Sequence, residues 1–228
     1  MRIFIIVILT FFYSYSNCQV SLQLKNDSLL KSEELFEIGV NFFEMENFDS
    51  ATVYFTKSLL YNPKDTLTLE KRAIVYRLTN KKKLAIDDYS KLIQLLPQKS
   101  FYYCLRGAVK SSLNDYTGSN LDFGKAIKLD SVCSSAYHLR GLNKMLCKDY
   151  IGAINDQSKA IKLDSTIAIY YYARGLQYST MAINNLILNP KFNDEDNKKN
   201  YQHSCDDFSK AKELGMEGIE NLILEVCK

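Results

Sequence analysis

The dipeptides Arg72-Ala73, Arg106-Gly107, Arg140-Gly141 and Arg174-Gly175 follow one another at intervals of 34 residues. A fixed interval of this size means that each copy is one structural unit, stacked on its neighbours to bury a face it cannot bury alone. With the dipeptide set at positions 7 and 8, the first unit starts at Ser32 and carries Ile38-Gly39 there. Other columns hold the same register. Position 4 reads Leu35, Leu69, Tyr103, Tyr137 and Tyr171, and position 20 reads Ala51, Ala85, Ser119 and Ala153. Position 24 reads Phe55, Tyr89, Phe123 and Gln157, position 27 Ser58, Leu92, Ala126 and Ala160, and position 32 Pro63, Pro97, Ser131 and Ser165. The segments 116–130 and 150–164 are close internal copies of each other.

A large residue at 4, Gly or Ala at 8, Ala at 20, an aromatic at 24 and Pro near 32 resemble the tetratricopeptide repeat. The resemblance covers nearly all of the chain after its amino terminus. It implies an all-α fold, a right-handed superhelical α-solenoid of about five helical hairpins with a carboxy-terminal capping helix. Small residues at 8 and 20 then let two antiparallel helices approach closely, and the turn residue at 32 ends the second helix. The expected units are 32–65, 66–99, 100–133, 134–167 and 168–216, preceded by a segment 19–31 and followed by a cap over 217–228. In the fifth unit the position-24 aromatic is Phe208 rather than residue 191, so 17 residues are inserted. The polar run from Asn189 to Asn200 reads as an exposed loop, with the insertion spanning about 184–200.

Position 7 is Arg and position 23 is Asp in the same units, giving Arg72 with Asp88, Arg106 with Asp122, Arg140 with Asp156, and Arg174 with Asp207. The first unit lacks both, with Ile38 and Tyr54. Residues that appear and vanish together read as structural ion pairs rather than as an anion-binding ladder. Six cysteines are present, with no Cys-x-x-Cys spacing and only two histidines, which argues against a zinc site. Cys205 and Cys227 come level if the chain reverses at Gly215, and a disulfide is expected there. Cys133 and Cys147, flanking one helix, would stand about 21 Å apart and cannot bridge. A Cys-Asp start to the penultimate helix and a Cys closing the last are also similar to exported tetratricopeptide proteins.

The amino terminus adds a destination. Arg2 precedes an apolar run, Ile3 to Tyr13, and then small and polar residues, the pattern of a secretory signal peptide over 1–18. The run is shorter than the roughly twenty residues of a permanent membrane helix. Cleavage after Ser16 or Cys18 and lipidation at Cys18 are both open, as are the readings of an uncleaved anchor or a buried strand. The expected location is exported: periplasmic, envelope-associated or secreted. A membrane enters only if Cys18 is lipidated or the signal is uncleaved. A net charge of +3 on 228 residues gives no reason to expect nucleic acid.

No nucleotide-binding, metalloprotease or serine-hydrolase motif is present, and no catalytic residues, metal ligands or cofactors are expected. Asp194-Glu195-Asp196-Asn197 faintly resembles a calcium loop, but Lys198 and Lys199 fill its next ligand and glycine positions. The resemblance places function on the concave face of successive first helices. Its candidate lining is Phe36, Val40, Phe43, Ile74, Arg77, Cys104, His138, Leu142, Met145, Tyr172 and Leu176. The clamp used by family members that hold chaperone tails needs Lys, Asn and Arg, and this face is largely apolar. The expected function is a non-catalytic scaffold that binds a protein or peptide segment. The alternatives are a lipid-anchored envelope assembly factor and a recognition subunit of an enzyme complex. Packing of 19–31 into the groove is a further open reading.

Overall fold

The computed structural model describes residues 23, 25–188 and 194–227. Every regular element among them is an α-helix. The chain divides into two compact units, meeting in sequence at Leu96 and Pro97.

The first unit holds α1 (25–44), α2 (Phe48–Tyr61), α3 (Thr66–Leu78) and α4 (Lys82–Leu95). Phe55 and Ala51 of α2 and Val75 of α3 are fully buried, with Phe36, Val40, Phe42 and Phe43 of α1 packed against them. The small residue at position 8 is sterically required here. A Cβ on Gly39 would stand 2.7 Å from the Phe55 ring. The second unit holds α5 (Ser100–Ser111), α6 (Tyr116–Leu129), α7 (Ser134–Leu146), α8 (Tyr150–Leu163), α9 (Ala168–Leu188), α10 (Asp194–Glu213) and α11 (Glu220–Val226). Each of these helices packs on the next, and α7 also touches α5 and α9, so first helices lie side by side.

The hairpins reverse through a repeated backbone device. Glu46, Asn80, Asn114 and Lys148 all adopt left-handed φ, between 57° and 64°. Each is followed by an N-cap residue: Asn47, Lys81, Asp115 and Asp149. Three of these caps accept a backbone N–H three residues on, from Ser50, Gly118 and Gly152. Such a cap satisfies one of the orphan donors of a helix start.

All four ion pairs form, each bidentate through the arginine Nε and Nη2. The distances are 2.8 and 2.7 Å for Arg72–Asp88, 2.9 and 2.6 Å for Arg106–Asp122, and 2.8 and 2.7 Å for both Arg140–Asp156 and Arg174–Asp207. The aspartates are buried. Each arginine also lies 5.5–5.9 Å from a tyrosine ring, Tyr76, Tyr103, Tyr137 and Tyr171 respectively.

The structure corrects two boundaries. Residues 25–31, expected in a separate segment, are the first turns of α1. Ser28 Oγ donates to the Tyr61 carbonyl at 3.0 Å and Ser32 Oγ to the Ser58 carbonyl at 3.1 Å, fixing them on the end of α2. The stretch 184–200, expected as an exposed loop, is helical over 184–188 and 194–200. Ala182 occupies the fifth unit's turn column, and a fully buried helix former there carries α9 through the point where the other hairpins reverse. The insertion therefore lengthens both helices, to 21 and 20 residues, against 13 and 14 in the preceding hairpin. At the carboxy terminus Gly215 and Gly218 take φ of 90° and 77°, which glycine accepts without strain. The chain reverses there, and Cys205 and Cys227 are joined in a disulfide with Cα atoms 5.6 Å apart.

Candidate functional site

In the first unit the candidate residues of α1 form one half-buried stripe. Phe36 lies with its ring 5.9 Å from Phe55, and Phe43 lies 5.9 Å from Phe48 with the Lys71 ammonium 5.3 Å above it. Val40 sits between them, Ile74 of α3 is half-buried, and Arg77 is exposed. At the amino-terminal end of this stripe a cavity of about 440 Å³ opens between α1 and the start of α3. Leu29, Phe36 and Leu67 give it apolar walls, and Glu33, Glu37 and Asp65 supply negative charge. Leu29 and Leu67 are 45% and 63% exposed. Asp65 is engaged, accepting from Leu67 N at 3.2 Å as the cap of α3.

In the second unit Cys104, Leu142, Met145, Tyr172 and Leu176 are half-buried. Tyr172 leans on Phe208 at 5.8 Å between ring centres. His138 departs from the expected lining. It is 9% exposed, its ring lies 4.9 Å from Tyr170, and its Nδ1 stands 3.0 Å from Gln157 Oε1. Gln157 Nε2 donates to the His138 carbonyl at 3.2 Å, so its Oε1 must accept and Nδ1 carries the proton. Burial lowers the His138 pKa from its ordinary value, opposed by this hydrogen bond. His138 is therefore a packing residue, held neutral by its surroundings. Two further cavities, of about 760 and 500 Å³, border the long α9 and α10. The larger lies beside Cys205 and Cys227, the other beside Tyr178, Met181 and His203.

A polar chain ties consecutive hairpins together in this unit. Ser111 Oγ donates to Asn143 Oδ1 at 2.6 Å, Asn143 Nδ2 donates to Ser119 Oγ at 2.7 Å, and Ser119 donates to the Gly107 carbonyl at 2.7 Å. Among the described residues no group of His, Cys, Asp and Glu is arranged to hold a metal ion. None of the described helices is long and apolar enough to cross a membrane. The expected signal segment and Cys18 lie outside the described residues.

No protein-family model matches the sequence. No curated protein matches it either. Solved structures do. MamA from Desulfovibrio magneticus RS-1 is 19% identical, with a TM-score of 0.66 over 81% of this chain and 94% of that one. YrrB, described as a TPR protein with an unusual peptide-binding site, is 14% identical, with a TM-score of 0.63 over 85% of this chain and 90% of that one. PilF from Pseudomonas aeruginosa is 14% identical, with a TM-score of 0.65 over 89% and 86%. The fold is the tetratricopeptide-repeat fold. Identities this low carry the architecture and nothing finer.

In the tetratricopeptide-repeat frame, sequence reasoning missed the apolar walls Leu29 and Leu67 as well as the acidic rim, Glu33 and Glu37. The two glutamates stand on α1 beside residues already singled out, at positions 2 and 6 of the first unit. A search for apolar residues alone passes over them. The stripe Phe36, Val40 and Phe43 is brought together by the structure, whereas His138 is withdrawn into the core.

Proposed function

We propose that this protein is a non-catalytic scaffold that binds a segment of another protein on the first-helix face of its amino-terminal unit. The observation that carries the reading is the cavity whose apolar walls, Leu29, Phe36 and Leu67, are rimmed by Glu33 and Glu37. Apolar walls favour an aliphatic or aromatic anchor, and the two carboxylates favour Lys or Arg beside it. The partner of this face is a short segment with an apolar anchor flanked by basic residues. The tetratricopeptide-repeat architecture of the similar structures supports an interaction role.

The same proposal has the protein working outside the cytoplasm. The apolar run from Ile3 to Tyr13 supports export. The Cys205–Cys227 disulfide suits an oxidising compartment. Lipid attachment at Cys18 would make it an envelope-anchored factor, and metabolic labelling with a fatty acid separates that form from the free one.

Selection from a random peptide library on the purified protein tests the binding reading. The expected ligands pair Leu, Ile or Phe with Lys or Arg. They lose at least tenfold in affinity against Leu67→Glu and against the Glu33→Lys, Glu37→Lys double variant, with the helical circular-dichroism signal unchanged. Ligands that ignore all three substitutions, or a library that yields none, would overturn it.

A further inference from the structure

In the second unit the thiol of Cys104 in α5 faces that of Cys133, the N-cap of α7. Cys133 acts on the Cys104 thiol both through charge and through a side-chain hydrogen bond. The repeat register independently brings Cys104 beside Ala136, close to Cys133. The His138 and Tyr170 rings lie 4.9 Å apart. The residues 34 positions earlier are Cys104 and Ala136. Ala136 is less than one turn from Cys133, its N–H donating to the Cys133 carbonyl at 3.2 Å. Cys133 Sγ also lies 3.3 Å from Ser135 Oγ, and both thiols are partly exposed.

We infer that Cys104 and Cys133 are a second disulfide-forming pair, closed by a disulfide oxidant to join the first helices of the third and fourth hairpins. Other pairings are poorly placed. Cys147 is the C-cap of α7, at the end of the helix opposite Cys133, and at 1.5 Å per residue the two are about 21 Å apart. Cys205 and Cys227 are already bonded to each other.

The chemistry has a fixed order. Burial, with Cys133, Asp130 and Asp122 nearby, pushes the Cys104 thiol up to about 12, so it stays protonated at neutral pH. Exchange therefore begins at Cys133. Its thiolate attacks oxidised glutathione, forming a mixed disulfide and releasing one glutathione thiolate. Cys104 then attacks the Cys133 sulfur of that mixed disulfide and expels the second glutathione, to which its proton passes. Two protein thiols are oxidised and one glutathione disulfide is reduced to two thiols. The link would fix α7 against α5 on the face where Cys104 lies, whether or not that face binds a partner.

Peptide mapping of the full chain tests this after treatment with oxidised glutathione at pH 8, alkylation of remaining thiols and non-reducing digestion. A cross-linked peptide joining Cys104 to Cys133, absent after dithiothreitol, is expected in the wild type and equally in Cys147→Ser. The Cys104→Ser protein should stop at a single glutathione on Cys133. Alkylated Cys104 and Cys133 after oxidation, stable glutathione adducts on both, or a link from either to Cys147 would overturn the assignment.

Discussion

Arg140 grips Asp156 with two parallel hydrogen bonds, and Lys144 meets the same carboxylate at 2.9 Å. Arg72 grips Asp88 in the same way, but the second cation there, Lys91, stands 3.9 Å off and is more than half exposed. Removing Arg140 leaves Asp156 a cation, whereas removing Arg72 strands a carboxylate that is 2% exposed. Stranding a buried charge costs about 3–5 kcal/mol. Arg72→Met should fall in that range, and Arg140→Met should cost about 1–2 kcal/mol, near the loss of ordinary hydrogen bonds. Urea unfolding of the two variants measures both. Equal losses would show that Lys144 does not compensate.

The arginines also reach back to the preceding hairpin. Arg72 Nη1 donates to Thr56 Oγ1 at 3.1 Å, and Arg174 Nη1 donates to Ser158 Oγ at 3.0 Å. The residue in that column before Arg140 is Gly124, where an added Cβ would meet only Arg140 Nη1, at 3.9 Å. Gly124→Ser should therefore stabilise twice, by removing a glycine from inside α6 and by supplying the missing hydroxyl. Gly124→Ala isolates the first effect, about 0.5–1 kcal/mol. The serine should exceed the alanine by about 0.5–1 kcal/mol despite its lower helix propensity, because it restores a hydrogen bond to a charged group. Thermal unfolding that ranks alanine above serine would count against the bond.

Most of this architecture was legible in the sequence because each column has one mechanical job. A glycine under a phenylalanine, as at Gly39 and Phe55, can be read without coordinates, and so can an arginine that recurs with an aspartate. What escaped reading depended on departures from the pattern within one unit. Ala182 falls where the other units turn, yet the polar residues after Asn189 drew attention instead, so the helical extension of α9 and α10 read as a loop. Gln157 stands in an aromatic column and His138 in the groove column of the same unit. Their pairing explains both departures, but only once the two helices are seen side by side. Cys104 and Cys133 are neighbours across hairpins, a relationship that pairing cysteines around one helix does not reach.

Among the second helices α2, α4, α6 and α8, Lys81 is the weak start. Asn47, Asp115 and Asp149 cap their helices with a side-chain acceptor, while α4 begins at Lys81 without such a bond. A cation at a helix amino terminus also opposes the dipole. Its exposed contact with Asp49, at 3.5 Å, offsets little. Lys81→Asp should raise stability by about 1 kcal/mol through the cap. Lys81→Ala should recover only a smaller share, from loss of the adverse charge. Unfolding midpoints measured in low and in 1 M salt separate the two contributions, since salt screens the charge and spares the hydrogen bond. An aspartate variant no more stable than the alanine would refute the capping account.

His138 and Gln157 should make stability depend on pH. Burial lowers the His138 pKa in the folded chain, so the unfolded chain binds its proton more readily. Above the unfolded value, near 6.5, both states are neutral and the pair contributes fully. As pH falls below that value the unfolded state gains protons first, and stability declines until the folded imidazole also titrates. The double variant His138→Leu, Gln157→Phe restores the aromatic column found in the other hairpins and removes the titrating group. Between pH 7 and pH 5 the wild type should lose more stability than this variant. His203 is exposed and remains in both proteins, so the difference isolates His138. Parallel pH profiles of the unfolding free energy would show that the buried imidazole carries no such linkage.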